Sequence, residues 1–336
     1  MKRLLLIYEQ LEEAKAYLVS RSRFDLRLAL ILADNVAELM MFNVLRETFS
    51  RDDWLRPLRK NAEQLGVTLD SALEVKYTTE ERKRAEQEFE PMVRLLHRLS
   101  KLSSSDATIL RISHRLRRDA FHRGQLREDI LEPLVCLLFN TVAVLTESLA
   151  FTNLGYVAPL DDEDQAFVRR YELTTSIPMF NSDEARKNCP AKLVEGVEFD
   201  LDSFRNALIN DHVGRVQESL KGLDGFYQTD DEKDLELLKY QFWKEMATQG
   251  WQPKRDEFDA VFATWQHNAI PIVTTKWLRQ FETSVSRRLN SRHASQVLAT
   301  YWGLDEDFVP KERFIDDHIS AVDEAIQHQI DLARGK

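Results

Sequence analysis

Glycine, proline and cysteine are all scarce in this 336-residue sequence, which has 10 glycines, 9 prolines and 2 cysteines. Few glycines and prolines leave few tight turns, which argues against strand-rich folds. Neither a Gly-x-Gly-x-x-Gly motif nor a Walker-type loop occurs, so nucleotide hydrolysis is not expected. Cys136 and Cys189 make neither a zinc pattern nor a disulfide framework. The sequence therefore predicts an all-α protein without metal or cofactor.

Long uncharged hydrophobic runs are also missing. The apolar run near the N-terminus ends at Glu9, and the most apolar segment, residues 134–151, contains Asn140 and Glu147. The first run is too short for a signal peptide, and the second is typical of a helix buried in a bundle rather than of a membrane span. We therefore expect a cytoplasmic protein that does not engage a membrane.

Charge is distributed unevenly along the chain, whose net charge is −10. The formal charges of residues 1–158 sum to +1, and those of the remaining residues sum to −11. Residues 111–127 hold six arginines and two histidines but one acid, Asp119. The arginines are Arg111, Arg115, Arg117, Arg118, Arg123 and Arg127. Such a positive patch suits an anionic ligand such as RNA, although a solvated basic helix face explains it equally well.

Apolar residues at helical spacing recur along most of the chain. In the first 150 residues they predict a bundle of four or five antiparallel helices. These helices cover 24–49, 79–101, a stretch from Ser103–Asp106 to about Gly124, and 128–150, and residues 51–60 form a basic connection. We expect the first of them to carry Asp34, Asn35 and Glu38 beside its apolar stripe.

Gly155, Pro159 and a following acidic cluster indicate a domain boundary. We predict a helical bundle in residues 1–155, a linker or irregular segment in 156–199, and an acidic helical domain in 200–336. Helices in the last domain are predicted at 200–221, 230–249, 255–266, 271–290, 292–302 and 311–334. Its tryptophans are expected in the core, with a ligand or partner pocket as the alternative: Trp243, Trp251, Trp265, Trp277 and Trp302.

One motif in the basic stretch suggests chemistry: Arg117 precedes His122 by five positions at a predicted helix end, and Gly124 follows. An arginine can hold a phosphate by a two-pronged contact, and a histidine can move a proton at neutral pH. RNA cleavage needs a deprotonated 2′-hydroxyl, a stabilised phosphorane and a protonated 5′-oxygen. The pair therefore predicts cleavage of RNA without a metal.

Residues 1–155 resemble the HEPN superfamily, small helical domains common in prokaryotic toxins, phage defence and RNA processing. The family motif is an arginine, four to six residues and a histidine, often followed by a glycine, and Arg117 to His122 match it. The helix around Asp34, which carries several polar residues beside its apolar stripe, is similar to an early helix of many such domains. Arg118 stands where the family often has asparagine, and the loose spacing also admits Arg115. The motif arginine is therefore Arg117, with Arg115 and Arg118 as alternatives.

The resemblance implies a metal-independent endoribonuclease of the toxin or phage-defence type, with Arg117 and His122 as catalytic residues. Supporting roles are implied for Arg118, Asp119, Asp34, Asn35 and Glu38, and RNA binding for Arg111, Arg115, Arg123 and Arg127. Since one histidine cannot easily make both proton transfers, the resemblance also implies a homodimer joined through the motif-bearing helices. RNA, tRNA included, would lie between the two copies and leave a 2′,3′-cyclic phosphate.

Two other classes of function stay open. One is a catalytically inactive HEPN-like module for dimerisation or partner binding, and the other is a purely helical scaffold. The acidic C-terminal region would repel RNA, so we expect it to sense a trigger, restrain the first domain or bind a partner such as an antitoxin.

Overall fold

The computed structural model describes residues 2–68, 77–122, 127–149, 162–170, 190–251, 254–266 and 269–334, and gives the backbone alone at 2–5, 120–122, 163–164, 167–168 and 255–256. Twelve α-helices and no β-strand lie within these ranges, which confirms the all-α fold. The chain divides into two compact units. The first comprises Met1–Phe204 and His293–Ala299, and the second comprises Arg205–Arg292 and Thr300–Lys336.

Seven helices belong to the first unit: α1 (Lys2–Ser20), α2 (Arg23–Leu65), α3 (Thr79–Gln87), α4 (Phe89–Arg98), α5 (Ser104–His122), α6 (Glu128–Ser148) and α7 (Asp162–Arg170). Five helices lie mainly in the second: α8 (Leu201–Asp224), α9 (Asp230–Thr248), α10 (Arg255–Trp265), α11 (Thr275–Arg288) and α12 (Ala294–Ala333). Residues 190–194 add a short helical segment, and Leu193 and Val197 are buried in the core of the first unit.

The core of the first unit forms around α2, which packs against α1, α4, α5 and α6. Its interior is apolar, as Leu30, Met41, Leu138 and Phe139 are fully buried. Both α2 and α6 contain an 18-residue stretch long and apolar enough to cross a membrane, and 56% and 61% of these stretches are buried inside the protein. Buried core helices of a bundle satisfy the same length and composition test.

Helix α2 continues through Pro57, so the predicted connection at residues 51–60 is wrong. Proline lacks the N–H that would reach the carbonyl of residue 53, which weakens a helix locally. Here contacts hold the helix on both sides of the proline, because the buried carboxylate of Asp52 pairs with Arg59 of the same helix at 2.5 Å and with Arg82 of α3. Helix α12 likewise runs through Pro310, where two separate helices were predicted.

The helix predicted over 79–101 is broken in two at Glu88, whose backbone is extended (φ −125°, ψ 130°). Pro91 explains the break, since in one continuous helix its ring would meet the carbonyl of residue 87. In the first turn of a new helix this proline is tolerated. The break places Glu90 in the first turn of α4, where it reaches arginines of α5.

The start of α2 allows a modest test of the fold. Ser22 has an extended backbone, and its hydroxyl accepts a hydrogen bond from the Asp25 N–H at 3.2 Å. Ser22→Ala should lower the free energy of unfolding by about 1 kcal/mol, because that N–H loses its partner. Urea denaturation measures the change, with the exposed Ser105→Ala on α5 as a control. Equal effects of the two substitutions would contradict the capping role.

The second unit is stabilised by an ion network around Arg215, which is 16% exposed. Its guanidinium contacts Asp305 at 2.8 Å, Glu312 at 2.7 Å and Asp211 at 3.4 Å. Burial opposes the charge, but the hydrogen bond and charge of Glu312 and the charges of Asp305 and Asp211 outweigh it and raise the pKa of Arg215. Tyr301 donates a further hydrogen bond to Asp211 at 2.7 Å.

The tryptophans of the second unit do not share one environment. Trp251 and Trp265 pack around the fully buried Phe242, with ring centroids 5.8 and 5.1 Å away, as expected of core residues. Trp243 is 51% exposed and stacks on Tyr240. Core packing therefore explains the positions of Trp251 and Trp265 but not that of Trp243.

Candidate functional site on helix α5

Helix α5 has a defined start and an amphipathic surface. Ser103 and Asp106 cap it reciprocally, because the Ser103 hydroxyl accepts from the Asp106 N–H at 3.1 Å and Asp106 accepts from the Ser103 N–H at 3.2 Å. Its apolar residues are buried: Ala107, Ile109, Leu110, Ile112 and Leu116. The intervening positions supply the polar side chains that meet α2 and α4.

The most buried polar group beside α5 is the carboxylate of Asp34 on α2, which is 1% exposed. Its two oxygens lie 3.0 and 3.2 Å from Nδ1 of His114. Since a carboxylate only accepts, this contact places the proton on Nδ1 and leaves Nε2 as the basic nitrogen. The hydrogen bonds of this ring to described residues are both made by Nδ1, and the His114 side chain as a whole is 21% exposed.

The His114 ring is fixed from a second side by Phe89 of α4. The two rings are stacked, with centroids 3.8 Å apart and planes at 5°. Together with the Asp34 contact, this holds the imidazole in one orientation. An imidazole oriented by a carboxylate through one nitrogen is an arrangement that can transfer a proton through the other.

Arg117 lies one helical turn beyond His114 and faces the same carboxylate. Its Nε is 3.8 Å from Oδ2 of Asp34, is buried, and makes no hydrogen bond in the described part of the chain. The side chain as a whole is 31% exposed, so the guanidinium retains contact with solvent. Asp34 therefore sets the positions of both a histidine and an arginine on α5.

A second acidic residue, Glu90, binds three arginines. Arg111 and Arg115 of α5 reach it at 2.5 and 2.7 Å, and Arg94 of α4 at 2.6 Å. Burial alone would raise the pKa of Glu90, but hydrogen bonds from Arg115, Arg94 and Arg111 outweigh it and lower the pKa to about 2. Glu90 thus fastens α5 to α4 and neutralises part of the basic stretch.

The Glu90 cluster predicts a specific acid sensitivity. The folded-state pKa of Glu90 lies below its ordinary value of 4.5, so the carboxylate stabilises the fold above pH 4.5, and this stabilisation is lost as the pH falls toward about 2. Glu90→Gln should therefore remove about 1–2 kcal/mol at pH 7, a figure reduced for the partial exposure of the site. It should also flatten the pH dependence of unfolding between pH 4.5 and 2. Unfolding curves of the wild type and of Glu90→Gln at pH 7, 4 and 3 test this prediction. Equal losses of unfolding free energy in the two proteins as the pH falls would contradict it.

The remaining predicted residues are dispersed around α5 and α2. Arg118 is exposed, with Nε 3.9 Å from Asp119. Asn35 donates to Gln10 of α1 at 3.0 Å, and Glu38 is exposed. Arg127 precedes the first residue of α6, while the His122 side chain and Arg123 lie outside the described residues.

Neither His114 nor Glu90 was predicted to have a role in the site. His114 lies three positions before Arg117, which on a helix places the two on neighbouring positions of one face. This spacing was the available signal. No three His, Cys, Asp or Glu side chains come together as metal ligands in the part of the chain that the structure describes.

No protein-family model matches the chain, and neither a curated protein nor a solved structure matches it. Its function must therefore be inferred from the chemistry of these side chains.

Proposed function

We propose that the first unit is a metal-independent endoribonuclease, of the toxin or phage-defence type that its resemblance to the HEPN superfamily implies. The observation that supports this most directly is the buried Asp34 carboxylate, 3.0 Å from His114 Nδ1 and 3.8 Å from Arg117 Nε. Burying a carboxylate is costly unless it is paired, and this one is paired with a proton carrier and a phosphate-binding group. Both partners lie on the helix that also carries His122.

The proposed reaction is an internal transfer at phosphorus. A base removes the proton of the ribose 2′-hydroxyl, the 2′-oxygen forms a bond to phosphorus, and the bond from phosphorus to the 5′-oxygen breaks. The leaving 5′-oxygen takes up a proton from an acid. Arg117 stabilises the negative charge on the non-bridging oxygens through its planar donor fork. The products are a 2′,3′-cyclic phosphate and a 5′-hydroxyl.

RNA, with tRNA among the candidates, is the proposed substrate, and a homodimer joined through α5 is the proposed assembly. In a dimer, two copies of Arg117 and His122 would face one RNA strand. The second unit would then bind a partner such as an antitoxin, which is absent from the purified protein.

A catalytically inactive module for dimerisation or partner binding is the second candidate. It is favoured by the engagement of Arg111 and Arg115 with Glu90, which leaves less positive charge to attract RNA. An inactive module would need α5 as a rigid surface, and the Glu90 cluster provides that rigidity.

Incubation with total tRNA and rRNA in excess EDTA separates the two candidates. The nuclease predicts discrete cleavage by the wild-type protein and loss of cleavage in His122→Ala, with dimerisation intact in both. The inactive module predicts no cleavage by either protein and a dimer in both. Cleavage that stops when EDTA is added would contradict a metal-independent mechanism.

A further inference from the structure

The proposed reaction needs two proton transfers, one from the 2′-hydroxyl and one to the 5′-oxygen, whereas the Arg117–His122 motif supplies one histidine in each copy of the chain. The structure contains a second histidine on the same helix. His114 has a carboxylate on Nδ1 at 3.0 Å, a stacked ring at 3.8 Å and a side chain that is 21% exposed. These three features hold the imidazole in place and leave one basic nitrogen available.

The register of α5 places Arg117 closer to His114 than to His122. The helix is continuous from Ser104 to His122. At 3.6 residues per turn, positions 114 and 117 are about 60° apart around the axis and about 4.5 Å along it. Positions 117 and 122 are about 140° apart around it and about 7.5 Å along it. The shared contact with Asp34 confirms that His114 and Arg117 occupy one side of the helix.

We propose that His114 is the general base of this centre and that Asp34 is its positioning residue. This inference rests on the proposed function. Nε2 of His114 takes the 2′-hydroxyl proton, and the Asp34 carboxylate stabilises the imidazolium that forms. The 2′-oxygen then bonds to phosphorus while Arg117 holds the non-bridging oxygens. The 5′-oxygen leaves with a proton from a separate acid, the role that remains for His122.

The two histidines can be told apart by the leaving group. In an RNA whose bridging 5′-oxygen is replaced by sulfur at one linkage, the leaving thiolate needs no proton, so loss of the acid is harmless. The base is still required. His114→Ala should therefore be about 10²–10⁴-fold slower than the wild type on ordinary RNA and on the sulfur-bridged RNA alike. His122→Ala should be slow on ordinary RNA and close to the wild type on the sulfur-bridged substrate.

Three further measurements distinguish a catalytic role of His114 from a structural one. Thermal melting shows whether His114→Ala remains folded after losing the Phe89 stack. Free imidazole should restore part of the cleavage by His114→Ala, which a purely structural role would not allow. Asp34→Asn should cost about tenfold or more, since a positioning partner is lost while the base remains. His97→Gln is the matched control, because His97 is an exposed histidine of α4 bonded to the Leu102 carbonyl.

Each result bears on the inference. The inference is supported if folded His114→Ala loses cleavage of both the ordinary and the sulfur-bridged RNA and free imidazole restores part of the cleavage. Cleavage by folded His114→Ala within about threefold of the wild type overturns it and leaves the proposed function standing. If His114→Ala cleaves the sulfur-bridged RNA nearly as fast as the wild type, His114 is the acid and the inference is overturned. Absence of cleavage by the wild-type protein would contradict the proposed function, and this inference with it.

Discussion

Arg117→Ala is expected to slow RNA cleavage by about 10²–10³-fold, the usual cost of losing one donor that stabilises charge in the transition state. Of the three candidate motif arginines, Arg117 is the one that lies beside the buried carboxylate of Asp34, at 3.8 Å. Its guanidinium therefore lies beside a buried negative charge and keeps partial exposure to solvent, 31% for the whole side chain. Arg117→Lys should recover little, because a lysine keeps the charge but not the two-pronged geometry.

The other candidate arginines provide the comparison for this prediction. Arg118 is exposed on α5, and Arg115 is engaged by Glu90 at 2.7 Å. Arg118→Ala should therefore lower cleavage less than Arg117→Ala, and Arg115→Ala should act mainly by lowering stability. Cleavage rates are measured in EDTA and normalised to the folded fraction from circular dichroism. A larger loss in folded Arg118→Ala than in folded Arg117→Ala would identify Arg118 as the motif arginine and contradict this assignment.

Arg215→Leu is expected to destabilise the second unit by about 3–5 kcal/mol, because removing one partner of a buried ion network leaves uncompensated charge. Asp211 and Asp305 are both buried, and Arg215 contacts them at 3.4 and 2.8 Å. Glu312 would lose its partner as well.

Arg279→Leu is the matched control for this second prediction. Arg279 pairs with Asp230 at 3.2 Å on the surface, where solvent screens an ion pair and its contribution to stability is small. Five of the six tryptophans lie at positions 243–302, so tryptophan fluorescence during chemical denaturation reports mainly on the second unit. Similar midpoints for the two variants would contradict a stabilising role of the Arg215 network.

Sequence patterns predicted the all-α fold and most helices, because capping residues and apolar periodicity are local signals. Three boundaries were wrong, two of them for reasons of packing and contacts and one because a local signal was missed. A connection was predicted at residues 51–60, which include Pro57, yet the contacts of Asp52 with Arg59 and Arg82 hold α2 together across this proline. Pro310 lies inside α12, where Phe308 is fully buried and packing outweighs the local cost. The break at Glu88 follows from Pro91, a local signal that the apolar pattern obscured.

The candidate site was predicted in part. Asp34 and Arg117 were identified from an acid beside an apolar stripe and from a motif, and the structure brings them within 3.8 Å. The pairing of His114 with Asp34 joins residues 80 positions apart, which no local pattern encodes. Glu90 was missed because its contact with α5 depends on the break between α3 and α4.

Analysis of the RNA ends tests the central claim most directly. Cleavage of a defined tRNA in excess EDTA should leave a 2′,3′-cyclic phosphate on one fragment and a 5′-hydroxyl on the other, because the 2′-oxygen is the nucleophile. A substrate with a single 2′-deoxy sugar at the cleaved linkage should be resistant there, since the nucleophile is missing. Fragments with 5′-phosphate ends, or cleavage at the 2′-deoxy position, would contradict the account.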